Sequence, residues 1–143
     1  MVGPGTGVAP FLGFLAERRA RRDTGESWLF FGERHEATDF WYREELDGLR
    51  SEGVLTRLDT AFSRDQRTTV YVQDRMHEQG ARLWSWLVRG AHVYVCGDAS
   101  RMAADVDRTL REVVAAHGGM SPDAAAAYVK AMTRARRYVR DVY

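Results

Sequence analysis

Five residues near the start, Gly3-Pro4-Gly5-Thr6-Gly7, followed at once by Val8-Ala9-Pro10-Phe11, constrain this chain more than any other stretch. Three glycines in five positions let the backbone turn sharply and pass close to another group, because no Cβ stands in the way. Pro10 suits the first turn of a helix, where its missing N–H is not needed. Val8, Phe11, Leu12 and Leu15 then recur at i, i+3, i+4 and i+7, an apolar helical stripe. A glycine loop feeding a helix N-terminus offers N–H groups and a partial positive charge to a phosphate or pyrophosphate, and Thr6 adds a hydroxyl. The pentad is not the GxGxxG fingerprint, so a plain glycine-punctuated turn stands beside the phosphate cradle as a second reading.

Only Met1 and Val2 precede the loop, whereas a strand usually runs about 5–6 residues. A first strand is therefore expected to be truncated, and the chain to be a piece of a longer polypeptide. A helix is predicted from Val8 to Arg22 and a buried strand over Ser27 to Gly32. Asp39 is expected to cap a helix from Phe40 to Arg50, and a strand to run from Leu55 to Phe62. Ser63 to Thr69 reads as polar loop. Val70 to Arg89 reads as helix broken near Gly80, and His92 to Cys96 as a second short strand. A helix over Arg101 to His117 stops at Gly118-Gly119. Ser121-Pro122 is an N-cap and N1 pair for a helix to Arg136, and Tyr138 to Tyr143 closes as a strand. This alternation over 143 residues predicts one α/β domain. The fold expected is Rossmann-like: a parallel five-stranded sheet in the order 3-2-1-4-5, with helices on both faces and a truncated first strand.

Ligands of such sheets sit beyond the carboxyl ends of the strands. That rule gathers Gly3–Gly7, Gly32–His35, Ser63–Arg67, Gly97–Arg101 and Tyr143 along one expected rim. Ser63 and Arg64 set a hydroxyl beside a two-pronged guanidinium. Arg67 adds a cation and Tyr71 a ring for a base to stack on. The group suits a phosphorylated adenosine, or else it is a solvated polar loop. Arg34 either meets a pyrophosphate or is an exposed loop cation. Cys96 is buried filler unless the adjoining crevice holds a reactive group. Asp98 and Asp105, taken alone, read as caps or surface acids more often than as ligands. His35, His77, His92 and His117 show no metal-ligand spacing, and one cysteine builds no thiolate zinc site. With 21 basic and 20 acidic residues, no global field draws the chain to nucleic acid or to a membrane surface. No apolar run approaches the ~20 residues of a membrane helix. A single cysteine excludes a disulfide within the chain and suits a reducing cytoplasm.

Taken in order, MVGPGTGVAPF, WLFFG, DFWYREEL, GVLTRLDTAFSRDQ, VYVQDRM, GAHVYVCGDASRMAADV and RRYVRDVY resemble the NADPH-binding half of the diflavin reductases. These are relatives of ferredoxin–NADP reductase, and the resemblance covers essentially the whole chain. The ending HGGMSPDAAAAYVKAMTRARRYVRDVY, with GVLTRLD and EQGARLWSW, is most similar to the branch that reduces sulfite to sulfide through a siroheme, iron–sulfur subunit. The resemblance implies that residues 1–143 are an NADP(H)-binding domain of an oxidoreductase. Gly3, Gly5, Thr6 and Gly7 would border the pyrophosphate and nicotinamide. Ser63, Arg64 and Tyr71 would hold the 2′-phosphoadenosine, with Gln73 behind them. Cys96 and Asp141 would sit at the reacting centre, with Asp98 and Met102 shaping that pocket and Asp105 on the nucleotide side. Tyr143 would stack on the flavin of FAD. Thr69 stands where many relatives carry lysine, with Arg67 as a nearby substitute. The FAD-binding barrel and the FMN domain are absent from these residues, so FAD and FMN belong to a longer protein. Arg34 matches the cytochrome P450 reductases better, which keeps a P450 reductase or a P450–reductase fusion as an alternative, with the P450 as partner. A stand-alone nucleotide-binding remnant without catalysis is a third. A sheet left open by truncation is also expected to self-associate.

Overall fold

Val2 is buried and makes a single parallel bridge to Phe30. The Phe30 N–H donates to Met1 O at 2.9 Å and the Gly3 N–H donates to Phe30 O at 3.0 Å. The computed structural model describes residues 1–143, which divide into two units, Met1–Val72 and Gln73–Tyr143.

In the first unit the glycine loop winds through a 3₁₀ turn, Gly5–Val8, into helix α1 (Ala9–Arg21). Phe11 and Leu15 are its buried residues, and Val8, buried in the turn before it, continues their helical spacing. Strand β1 (Trp28–Glu33) follows and pairs in parallel with β2 (Arg57–Phe62), in register from Trp28↔Arg57 to Glu33↔Phe62. Four successive residues of β1, Trp28 to Phe31, are buried, as befits a strand covered on both faces. Phe31 stacks on Phe40 at 5.1 Å and meets Phe62 edge-on at 6.4 Å. Between the strands lie a short helix α2 (Glu36–Asp39) and α3 (Arg43–Ser51). Asp39 does not cap a helix beginning at Phe40. It is the last residue of α2, and its carboxylate accepts the N–H of His35 behind it at 2.9 Å. Phe40 is instead turned onto Phe31 and Phe62, and α3 starts three residues later.

In the second unit α4 (Val72–Glu78, which straddles the boundary) and α5 (Gly80–Val88) are separated at Gln79, near the expected break. Strand β3 (Val93–Gly97) pairs in parallel with β4 (Tyr138–Val142). Helix α6 (Met102–Gly118) packs on α5, β3 and α7 (Pro122–Arg134) and buries Val106, Leu110, Val113 and Val114. Ser121 caps α7, its Oγ accepting the Ala124 N–H at 3.2 Å. Arg137 ties β4 to the end of α5. Its guanidinium donates to Leu87 O at 2.7 Å and twice to Ala91 O, at 3.1 and 3.2 Å. Leu87 O also accepts the Gly90 N–H at 3.0 Å, and the guanidinium adds a charged donor to this helix end. Arg137→Ala is therefore expected to cost about 2 kcal/mol, as the loss of charge-assisted bonds does. A shift of the urea midpoint to lower concentration checks it, with Arg137→Lys intermediate.

The expectation of a single five-stranded sheet is corrected. The strands form two two-stranded parallel sheets, β1–β2 and β3–β4. The first strand contributes only the parallel bridge from Val2 to Phe30. The architecture is α/β and Rossmann-like, with parallel strands and flanking helices. No helix is long and apolar enough to cross a membrane.

Candidate functional site

The glycine loop is held tightly against its own helix. A Cβ on Gly3 would lie 2.6 Å from Gly7 O and 2.7 Å from the Phe11 ring, so only glycine admits this approach. Gly5 has φ +57°, in the left-handed region that favours glycine. Val72 Cγ1 and Pro4 Cβ close on the position of a Gly32 Cβ, at 2.9 and 3.4 Å. The glycine loop, the end of β1 and the start of α4 thus meet around Gly32, with Tyr71 one residue before Val72 and exposed.

The loops after β1 and β2 run side by side beyond the strands. Ser63 N–H donates to Glu33 O at 2.8 Å and Arg64 N–H to Arg34 O at 2.9 Å. The structure thereby brings Arg34, Ser63 and Arg64 together, with Arg64, Arg67 and Thr69 exposed. Two carboxylates shape this end, and no spacing rule announces either. Glu33 Oε1 stands 3.4 Å from the position of a Gly5 Cβ, and its Oε2 accepts the Arg34 N–H at 2.9 Å. Asp65 Oδ1 lies 2.9 Å from His35 Nδ1, and Oδ2 accepts the Glu36 N–H at 2.8 Å. The Glu36 N–H first, then the His35 side chain, hold the Asp65 carboxyl below its ordinary range.

In the second unit Cys96 and Asp141 are register partners across β3 and β4. The thiol is buried, and burial first, then the Asp141 charge, push its pKa up. The folded thiol is thus less ionised than an exposed one at any given pH. At pH 8 its alkylation by iodoacetamide is expected to be at least tenfold slower than that of the urea-unfolded chain, the thiolate being the nucleophile. Equal rates would show the thiol to be open. Asp98 turns its carboxylate on its own loop, accepting the N–H groups of Ser100 at 3.0 Å and Arg101 at 3.2 Å. The Ser100 N–H, followed by its hydroxyl, lowers the Asp98 pKa. Tyr143 is joined to the same loop: its N–H donates to Gly97 O at 3.1 Å and its O accepts the Ala99 N–H at 2.9 Å. The three segments Gly97–Arg101, Asp141 and Tyr143 are therefore neighbours. Met102 opens α6. Asp105, one turn on, takes Arg108 at 2.6 Å and Gln73 Nε2 at 3.5 Å. Gln73 Oε1 is buried with no protein donor. No group of three or more His, Cys, Asp or Glu side chains is arranged to hold a metal ion.

Comparison with known proteins identifies the family. The family described as oxidoreductase NAD-binding domain matches residues 1–108. The chain is 55% identical over all of its 143 residues to the sulfite reductase [NADPH] flavoprotein alpha-component of Cronobacter sakazakii, of which it covers 24%. It is 53% identical over its whole length to the protein of that name from Yersinia pestis, and 52% to that from Yersinia enterocolitica, again covering 24% of each. The chain thus spans about a quarter of the length of the curated relatives it matches.

Proposed function

The chain belongs to the oxidoreductase NAD-binding domain family, and from that premise we propose that it is the NADP(H)-binding module of a sulfite-reducing diflavin flavoprotein. The observation that carries the proposal is identity of 55% along the entire chain to a relative whose name specifies NADPH. In a longer, cytoplasmic protein, NADPH held by this module would supply hydride to FAD, and FMN would supply single electrons to a siroheme, iron–sulfur subunit for the reduction of sulfite to sulfide. That redox chemistry is the cofactors' own; this module binds and orients.

Ser63, Arg64 and Arg67 grip the 2′-phosphate. Tyr71 stacks on the adenine, and Thr69 leaves the lysine's share of the charge to Arg67. Gly5, Thr6, Gly7 and Arg34 line the pyrophosphate. Support comes from the close approach at Gly3 and the left-handed Gly5, which leave the turn without side-chain bulk. Gln73 and Asp105 lie on the nucleotide side, and the unmet acceptor Gln73 Oε1 suits a ligand donor. Cys96, kept protonated and pinned opposite Asp141, orients the nicotinamide, while Asp98 and Met102 shape that end. Tyr143, 69% exposed, stacks on the flavin in this reading.

Calorimetric titration of the chain with 2′,5′-ADP and with 5′-AMP tests the phosphate reading. A charge-assisted guanidinium–phosphate contact of about 1.5–3 kcal/mol predicts roughly tenfold to hundredfold tighter binding of 2′,5′-ADP. Equal affinities would remove the role given to Ser63 and Arg64.

A further inference from the structure

We infer that His35 and Asp65 form a clasp between the loops after β1 and β2 that positions Ser63 and Arg64 to recognise a phosphate on the adenosine ribose. They act here as positioning residues that set specificity. The inference deepens the NADP(H) reading above and rests on it.

The β1–β2 ladder ends at Glu33↔Phe62, and only two further backbone bonds, Ser63 to Glu33 and Arg64 to Arg34, continue it. Asp65 takes over where they stop. One carboxylate oxygen meets His35 Nδ1 at 2.9 Å and the other accepts the Glu36 N–H at 2.8 Å. A two-point grip of this kind fixes both position and orientation, which one bond does not. His35 is itself held, because Asp39 accepts its N–H at 2.9 Å. Glu36 in turn has its side chain engaged by Arg43 at 2.6 Å. On the far side of Asp65, Gln66 Nε2 donates to Phe62 O at 2.8 Å and closes the loop on its own strand. Arg64 therefore sits between a backbone bond on one side and the clasp on the other. Ordering a loop before its ligand arrives lowers the entropy cost of binding.

The sign of one substitution separates this role from a bland one. A carboxylate beside an anion site repels the anion, so an uninvolved Asp65, once neutralised, would let 2′,5′-ADP bind more tightly. A clasp predicts the reverse.

The test is calorimetry of the chain and its variants with 2′,5′-ADP and 5′-AMP, with thermal melts to confirm folding. Asp65→Asn and His35→Ala are each expected to weaken 2′,5′-ADP roughly threefold to tenfold, the worth of one or two partly exposed hydrogen bonds. Binding of 5′-AMP should stay within about twofold, since the common part of the ligand does not read the clasp. His35→Asn, whose amide nitrogen can replace Nδ1, should restore affinity. Tighter or unchanged 2′,5′-ADP binding in Asp65→Asn overturns the clasp, as does equal weakening of both ligands. If the unsubstituted chain fails to distinguish the ligands, the NADP(H) reading falls and the clasp with it. Preference in that chain with no change in the variants sinks the clasp alone.

Discussion

Arg64→Ala is expected to cost roughly tenfold to hundredfold in affinity for 2′,5′-ADP, the loss of a charge-assisted phosphate contact of about 1.5–3 kcal/mol. The backbone at Arg64 is anchored to Arg34 O, so truncation of the side chain leaves the loop where it is. Arg64 is exposed in the free chain, so the variant should melt within about a degree of the parent, as surface changes do. Arg64→Lys keeps the charge but not the fork, and should fall between the two. Because the contact is open to solvent, the difference should shrink as salt rises. The competing outcome is informative. If 2′,5′-ADP and 5′-AMP weaken by the same factor, Arg64 touches a part of the nucleotide that both ligands share, and the 2′-phosphate is read elsewhere. Arg67, three residues on and also exposed, would then be next to test.

Gly3→Ala is the substitution expected to damage the first unit most. The new methyl would lie 2.6 Å from the Gly7 carbonyl and 2.7 Å from two ring carbons of Phe11. The ring is buried at 2% exposure and cannot swing out, and the carbonyl belongs to the turn that launches α1. Relief requires the glycine loop to lift from its helix. That strain is worth about 1–3 kcal/mol or more, and it moves the backbone that is proposed to face the pyrophosphate. Urea unfolding should show the loss, and calorimetry should show 5′-AMP and 2′,5′-ADP weakened together, unlike Arg64→Ala. Gly13→Ala is the matched control: it lies in α1, exposed, with nothing within 4 Å of its added Cβ. There alanine should stabilise by about 0.5–1 kcal/mol through helix propensity. A Gly3→Ala chain as stable as the parent would mean that the loop is looser than the distances indicate.

Much of the fold is legible in the residues because its causes are local. The stripe Val8, Phe11, Leu15 places α1; Ser121-Pro122 starts α7 where it should; the apolar runs at 28–31 and 93–96 are strands. Asp39 shows the limit. An aspartate before an apolar residue reads as a cap, yet here it closes a four-residue helix backward onto His35, because Phe40 is drawn into the aromatic cluster with Phe31 and Phe62. The site divides in the same way. Ser63 and Arg64 are readable as a post-strand hydroxyl and guanidinium. Asp65, between Arg64 and Gln66, carries no signal of its own, since its partners are 29 and 30 positions away.

Apart from α2 and the first strand, the chain's residue pattern alone determined which segments coil, which extend and in what order, because helix periodicity, capping and glycine turns act within a few neighbours. Only tertiary structure decided where each carboxylate spends its charge: Asp98 on its own turn, Glu33 toward the glycine loop, Asp65 across to His35. Those assignments depend on the register of parallel strands, and a one-residue slip of β2 against β1 would hand every partner after Phe62 to a different group.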